Sequence, residues 1–165
     1  MSLFDDENYQ WRETCFVFLK RAQRPTAKRV EETLLETNHH FQLQNVAAND
    51  DGLFESCTLI APDAYAAIEL SYVEGPEVTE QLAALPGEIR QMTEDPEELK
   101  KADRLPEMTA RIDVMHFERL TFSFGEEDEE PAEGMFDPGA LILVLEQLAF
   151  VCDGVPVDPQ SGAIM

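Results

Sequence analysis

The sequence predicts an α+β fold built as a single domain over residues 1–165. Three observations predict it. Apolar and polar residues alternate in several short stretches separated by Pro, Gly, Asn and Asp, which is the signature of strands joined by turns. Between two of these stretches, apolar residues recur at helical spacing. A nearly unbroken apolar segment lies close to the end of the chain. Hydrophobic residues make up 44% of the sequence and include 10 Phe, enough for a real core despite the heavy charge.

The elements follow in order. Thr14–Lys20 (TCFVFLK) is apolar on both faces and reads as a central strand. Arg24-Pro25-Thr26 opens a helix to about Asn38, with Ala27, Val30, Leu34 and Thr37 along one stripe. Phe41, Leu43 and Val46 mark a short second strand, and Asn49-Asp50-Asp51-Gly52 a turn. Cys57, Leu59 and Ala61 share one face of a third strand. After the turn at Pro62-Asp63, Ile68, Leu70 and Tyr72 share one face of a fourth. Residues 77–105 are helical in tendency but cut by Pro86-Gly87 and Pro96, which predicts two or three short helices; Asp95 is the expected N-cap of the last. Residues 110–124 read as a long strand whose alternation slips midway, so a β-bulge or bend is expected near His116. An acidic flexible loop occupies 125–136. A helix over 138–152, polar only at Glu146 and Gln147, is expected to be buried on most sides, and Val155–Val157 with Ala163–Met165 to form a short closing hairpin.

This order resembles the β-α-β-β-α-β pattern of a ferredoxin-like sandwich, with an extra strand, a buried C-terminal helix and the closing hairpin added. The resemblance is one of element order, and that superfold hosts many unrelated activities.

Charge is the sequence's strongest functional signal. Residues 31–165 hold 30 acidic and 6 basic side chains, residues 1–30 hold 4 and 6, and the net is −22. Phosphate neutralisation by Lys and Arg dominates nucleic-acid binding, so nucleic acid is an unsuitable partner for this surface. The longest apolar run is too short to span a bilayer, and MSLFDDENYQW lacks the basic and apolar regions of a signal peptide. Cys15, Cys57 and Cys152 are odd in number, far apart and in apolar contexts, as buried thiols would be. A cytoplasmic protein without membrane association is therefore expected.

Candidate sites are few. Glu126, Glu127, Asp128, Glu129 and Glu130 form a contiguous block, which lacks the alternating ligands and turn glycine of an EF-hand but suits electrostatic docking of a basic protein. Arg21, Arg24 and Lys28 belong to the one local basic cluster, a patch for an anion or an acidic partner, or a local counterweight to the acidic remainder. His39 and His40 follow Glu36 at a helix end, and His116 sits in an apolar strand; structural roles are the simpler account of all three. No metal, cofactor, nucleophile-elbow or phosphate-loop pattern occurs. The reading expected from sequence is a non-enzymatic protein-binding or regulatory module recognising a basic partner. The alternative is a small-ligand protein or enzyme with a site near His116 or His39/His40, and a homo-oligomer is a third arrangement to test.

Overall fold

The computed structural model of the chain describes residues 7–119, 139–158 and 163–164. Among the described residues are seven strands and four α-helices: β1 (Tyr9–Leu19), α1 (Ala27–Thr37), β2 (Gln42–Ala48), β3 (Phe54–Ala61), β4 (Ala66–Glu74), α2 (Pro76–Met92), α3 (Pro96–Arg104), β5 (Ala110–Arg119), α4 (Gly139–Cys152), β6 (Val155–Asp158) and β7 (Ala163–Ile164). The strands form one sheet in the order β2-β3-β4-β5-β1-β6-β7. Every neighbouring pair is antiparallel. The mixed α+β class and the closing β6–β7 hairpin match the sequence expectation.

The strand order and layering depart from a ferredoxin-like sandwich, in which one strand splits the first β-α-β unit and the helices share a face. Here β3, β4 and β5 all lie between β1 and β2. The reason lies in the connections. Short turns let β2, β3 and β4 pair successively as a meander, which leaves β5 to fill the gap between β4 and β1. The helices also divide. α1 and α4 pack over Cys15, Val17 and Leu19 of β1 and the matching residues Ala110, Ile112 and Val114 of β5, with Cys57 and Leu59 of β3 and Ile68 and Leu70 of β4 in the same core. α2 and α3 cover the opposite face, where Val78, Leu82, Leu85 and Ile89 meet Phe16 and Phe18 of β1 and Val155 and Val157 of β6.

Three local expectations are corrected. β1 begins at Tyr9, ahead of the apolar stretch at Thr14, because pairing with β5 extends to Tyr9↔Arg119. α2 runs through Pro86 without a break. A proline inside a helix cannot donate to the carbonyl four residues back, but the buried stripe Val78, Leu82, Leu85, Ile89 holds both halves on the sheet. The bulge falls beside His116 as expected but on the partner strand: β1 shifts register between Trp11, paired with Phe117, and Glu13, paired with His116, while β5 pairs with β4 without interruption from Ala66↔Glu118 to Glu74↔Ala110. His116 simply continues the inward phase of Ile112 and Val114, and Phe117 is buried on the other face with Ala67. The apparent slip came from treating a core histidine as a polar position. Residues 120–124 of the expected strand lie outside the described residues.

Gly154 fixes the join between α4 and β6. A Cβ there would sit 2.6 Å from the Phe18 carbonyl oxygen and 2.8 Å from a Val17 methyl carbon, so only glycine lets the chain pass this close to β1. At the opposite edge, β2 is interrupted by Asn45 in the left-handed region (φ 55°) and by register shifts on either side of Ala47. Such irregularity blunts an edge strand against pairing with another sheet.

Candidate functional site

Where α1 stops, Asn38 turns the chain. Its side-chain oxygen accepts from the His40 N–H at 2.9 Å, and its carbonyl accepts from the Phe41 N–H at 3.0 Å. Asn38 itself is extended (φ −152°, ψ 115°), which ends the helix and swings His39 and His40 off its axis while Phe41 enters the core. The helical Glu36-x-x-His39 spacing is therefore not realised, because α1 ends at Thr37. A second corner faces this one. β3 ends at Ala61, Pro62–Ala64 forms a single tight 3-10 turn, and Tyr65 in the left-handed conformation (φ 50°) sends the chain into β4. Asp63, at the tip of that turn, is hydrogen-bonded to His40 Nδ1.

The first turns of α4 close the third side. Together the three segments enclose a cavity of about 420 Å³ lined by Asn38, His40, Phe41, Ala61–Ala64, Gly139, Ala140, Ile142, Leu143 and Glu146. Its described walls are mostly apolar; among the described residues its polar side chains are His40, Asp63, Asn38 and Glu146, with no Lys or Arg. Neither does the described lining offer a Ser, Thr, Cys, Tyr or Lys to act as a nucleophile. The arrangement suits an apolar body carrying a cation, held by carboxylates at the rim.

The exposed surface beside the cavity is apolar. α4 was expected to be buried on most sides; instead Ile142 is 44% exposed, Leu143 38% and Phe150 77%. The sheet receives Leu141, Val144, Leu145 and Leu148, and α4 is apolar on its outward side as well. Leu35 of α1, the helix packed beside α4, is 36% exposed.

The residues singled out from the sequence fall in different places. The acidic block Glu126–Glu130, with the whole 125–136 loop, lies outside the described residues. Arg21 pairs with Glu74 at 3.5 Å. Arg24 donates two hydrogen bonds to the Phe54 carbonyl at 3.0 and 2.8 Å and stacks 3.8 Å above the Tyr72 ring. Lys28 reaches Glu32 one turn on at 3.9 Å. These three cations thus engage their own chain. Tyr72 donates to Glu74, and burial with that bond pushes its hydroxyl up to about 12.

His116 is fully buried on the same side of β5 as Ile112 and Val114, with Nδ1 3.5 Å from a Glu13 carboxylate oxygen. Burial lowers its pKa, against the pull of Glu13. It does not line the cavity that holds His40. The three cysteines are unpaired and buried, and burial pushes each thiol up to about 12, which makes them poor nucleophiles. Among the described residues, no group of three His, Cys, Asp or Glu is placed to hold a metal ion, and no helix is long and apolar enough to cross a membrane.

Sequence reasoning missed Asp63, Glu146 and the outward apolar side of α4. Asp63 was visible as part of a turn, but nothing local shows that this turn meets His40. In comparisons with family models, curated proteins and solved structures, the chain matches none of them.

Proposed function

We propose that this chain is a non-enzymatic binding or regulatory module that recognises a basic protein partner. The observation that carries the reading is how the chain spends its few cations. Of 12 Lys and Arg side chains, Arg12, Lys20, Arg21, Lys28, Arg90, Arg104 and Arg111 lie within 4.0 Å of carboxylates of the same molecule. Even so, acid outnumbers base over the whole chain, which keeps a net charge of −22. Such a field accelerates encounter with a basic surface and repels polyanions. The thiols are buried, and among the described residues the cavity lining has no hydroxyl, thiol or amine side chain, which favours recognition over catalysis.

The test is retention of proteins from a cell extract at low and high salt, with the captured species identified. Basic proteins are expected on the resin at about 50 mM salt and lost by about 500 mM, because surface attraction fades as the Debye length shrinks. An extract that leaves no basic protein bound at the lower salt overturns the reading. The alternative, a small-ligand protein or enzyme, draws on the cavity and the His40–Asp63 contact. It would gain ground if a small molecule raised the melting temperature in a manner removed by His40→Ala.

A further inference from the structure

We infer that the partner docks at the corner between α1, the β3–β4 turn and α4, and that what it inserts is an amphipathic segment bearing Lys or Arg. The inference rests on the basic-partner reading and deepens it by giving the place and the chemistry. Two features coincide there. The cavity offers Phe41, Ile142 and Leu143 as apolar wall, and Asp63 and Glu146 as its carboxylates. An exposed track, apolar apart from Glu146, leads away from it, since Ile142, Glu146 and Phe150 follow one another at four-residue steps along one side of α4. Leu35 extends the apolar character to α1, where Glu32 and Glu36 are exposed acids close by in sequence.

Apolar residues interleaved with carboxylates complement a segment whose apolar residues are interleaved with cations. A purely basic segment would leave Phe150 and Ile142 in water, and a purely apolar one would bury Asp63 and Glu146 without counter-charge. A lysine or arginine stem has the right shape for this cavity: methylenes against the apolar wall, the charged head at the rim.

The experiment titrates the whole isotope-labelled chain, in low salt, with three probes: a helical Leu/Lys amphipathic peptide, an oligolysine of equal charge, and hexylamine. The amphipathic peptide is expected to bind at least about tenfold more tightly than oligolysine, moving the amide signals of Ala61, Asp63, Ala64 and residues 140–143. The double variant Asp63→Asn/Glu146→Gln, and separately Phe150→Asp, are each expected to weaken that binding by about tenfold while the melting temperature holds. If both peptides bind equally and the shifts scatter over the acidic surface, the docking site is wrong and the basic-partner reading stands. If neither peptide binds, both fall. Saturation of the corner by hexylamine at micromolar concentration would instead make it a small-cation site. A dimer in sedimentation of the chain alone, dissolved by Phe150→Asp, would assign the apolar track to a second copy. Each of these last two results overturns the inference.

Discussion

The two faces of the sheet are built to different standards. Under α1 and α4, the inward residues of β1, β3, β4 and β5 are almost all apolar and fully buried, and the histidine among them is buried too. Under α2 and α3, apolar packing is strongest along β1 and β6. Towards β3 the same face becomes Ser56, Thr58, Glu69 and Ser71, all half-buried. Between the two regimes sits Arg111. Its guanidinium donates to Asp113 at 2.6 Å, to Gln81 at 2.7 Å and to Glu77 at 2.6 Å, and lies 4.8 Å from the centre of the Phe16 ring. Burial pushes the Asp113 carboxyl up, against the opposing pull of Arg111. One sheet thus has a dry face that carries the main core and a second face where α2 is fastened partly by a polar clasp.

The contrast sets an order of expected effects. Leu59→Ala, on the dry face, is expected to destabilise by about 2–5 kcal/mol in urea unfolding, with Leu82→Ala under α2 near the lower end of that range. Equal losses would show that the two faces contribute alike. Arg111→Ala should cost about 1–3 kcal/mol, since it leaves Asp113 part-buried without its cation, while Glu77 is exposed enough to be re-solvated. Arg111→Met should recover part of that loss by keeping an unbranched apolar stem at this largely buried position. An Arg111→Ala protein as stable as the parent would mean that the clasp is incidental.

His116 gives a smaller effect with a definite sign. Its folded pKa is lowered below the ordinary value of 6.5 by burial. Above that value both folded and unfolded chains hold a neutral imidazole, so nothing is lost. As pH falls below it the unfolded chain takes up the proton first, and stability declines towards the folded pKa by at most about 1.4 kcal/mol per pH unit. Carboxylates titrate as well, so the measurement is the difference between the parent and His116→Leu over pH 7 to 5, in buffers spaced by about one unit. A variant curve parallel to the parent's would sink the idea. The smallest effect is that of salt: raising ionic strength should screen the −22 self-repulsion and stabilise the fold by under about 1 kcal/mol. A melting temperature that falls with salt would argue that intramolecular ion pairs outweigh the repulsion.

Much of the secondary structure was legible, because it depends on neighbours in sequence. The Thr26 cap, whose side chain accepts from Arg29 N–H, and the Asp95 cap, which accepts from Glu97 N–H, are local chemistry that the sequence displays. Strand phase was legible wherever the inward residues were aliphatic. It failed at His116, where a histidine fills a core position, and at Pro86, where burial outweighs a local rule. Strand order could not be read, since nothing in β5 says that its partners will be β4 and β1. The candidate corner was hidden for the same reason: Asn38, Asp63 and Glu146 are far apart in sequence and meet through the fold. The exposed side of α4 could not be told from its buried side, because both are apolar.

The position of β1 between β5 and β6 has a consequence for how the chain reaches this state. As the polypeptide emerges from N- to C-terminus, β2, β3 and β4 can pair as soon as they exist. β1 must wait for residues 110–119 to cover one edge and 155–158 to cover the other. Its apolar stretch Phe16–Leu19 is thus held in reserve through most of synthesis, and sheet closure is a late event joining distant parts of the chain. Folding governed by such long-range pairing is slow for the chain's size, and the interval before closure is when the molecule is most open to aggregation or chaperone capture.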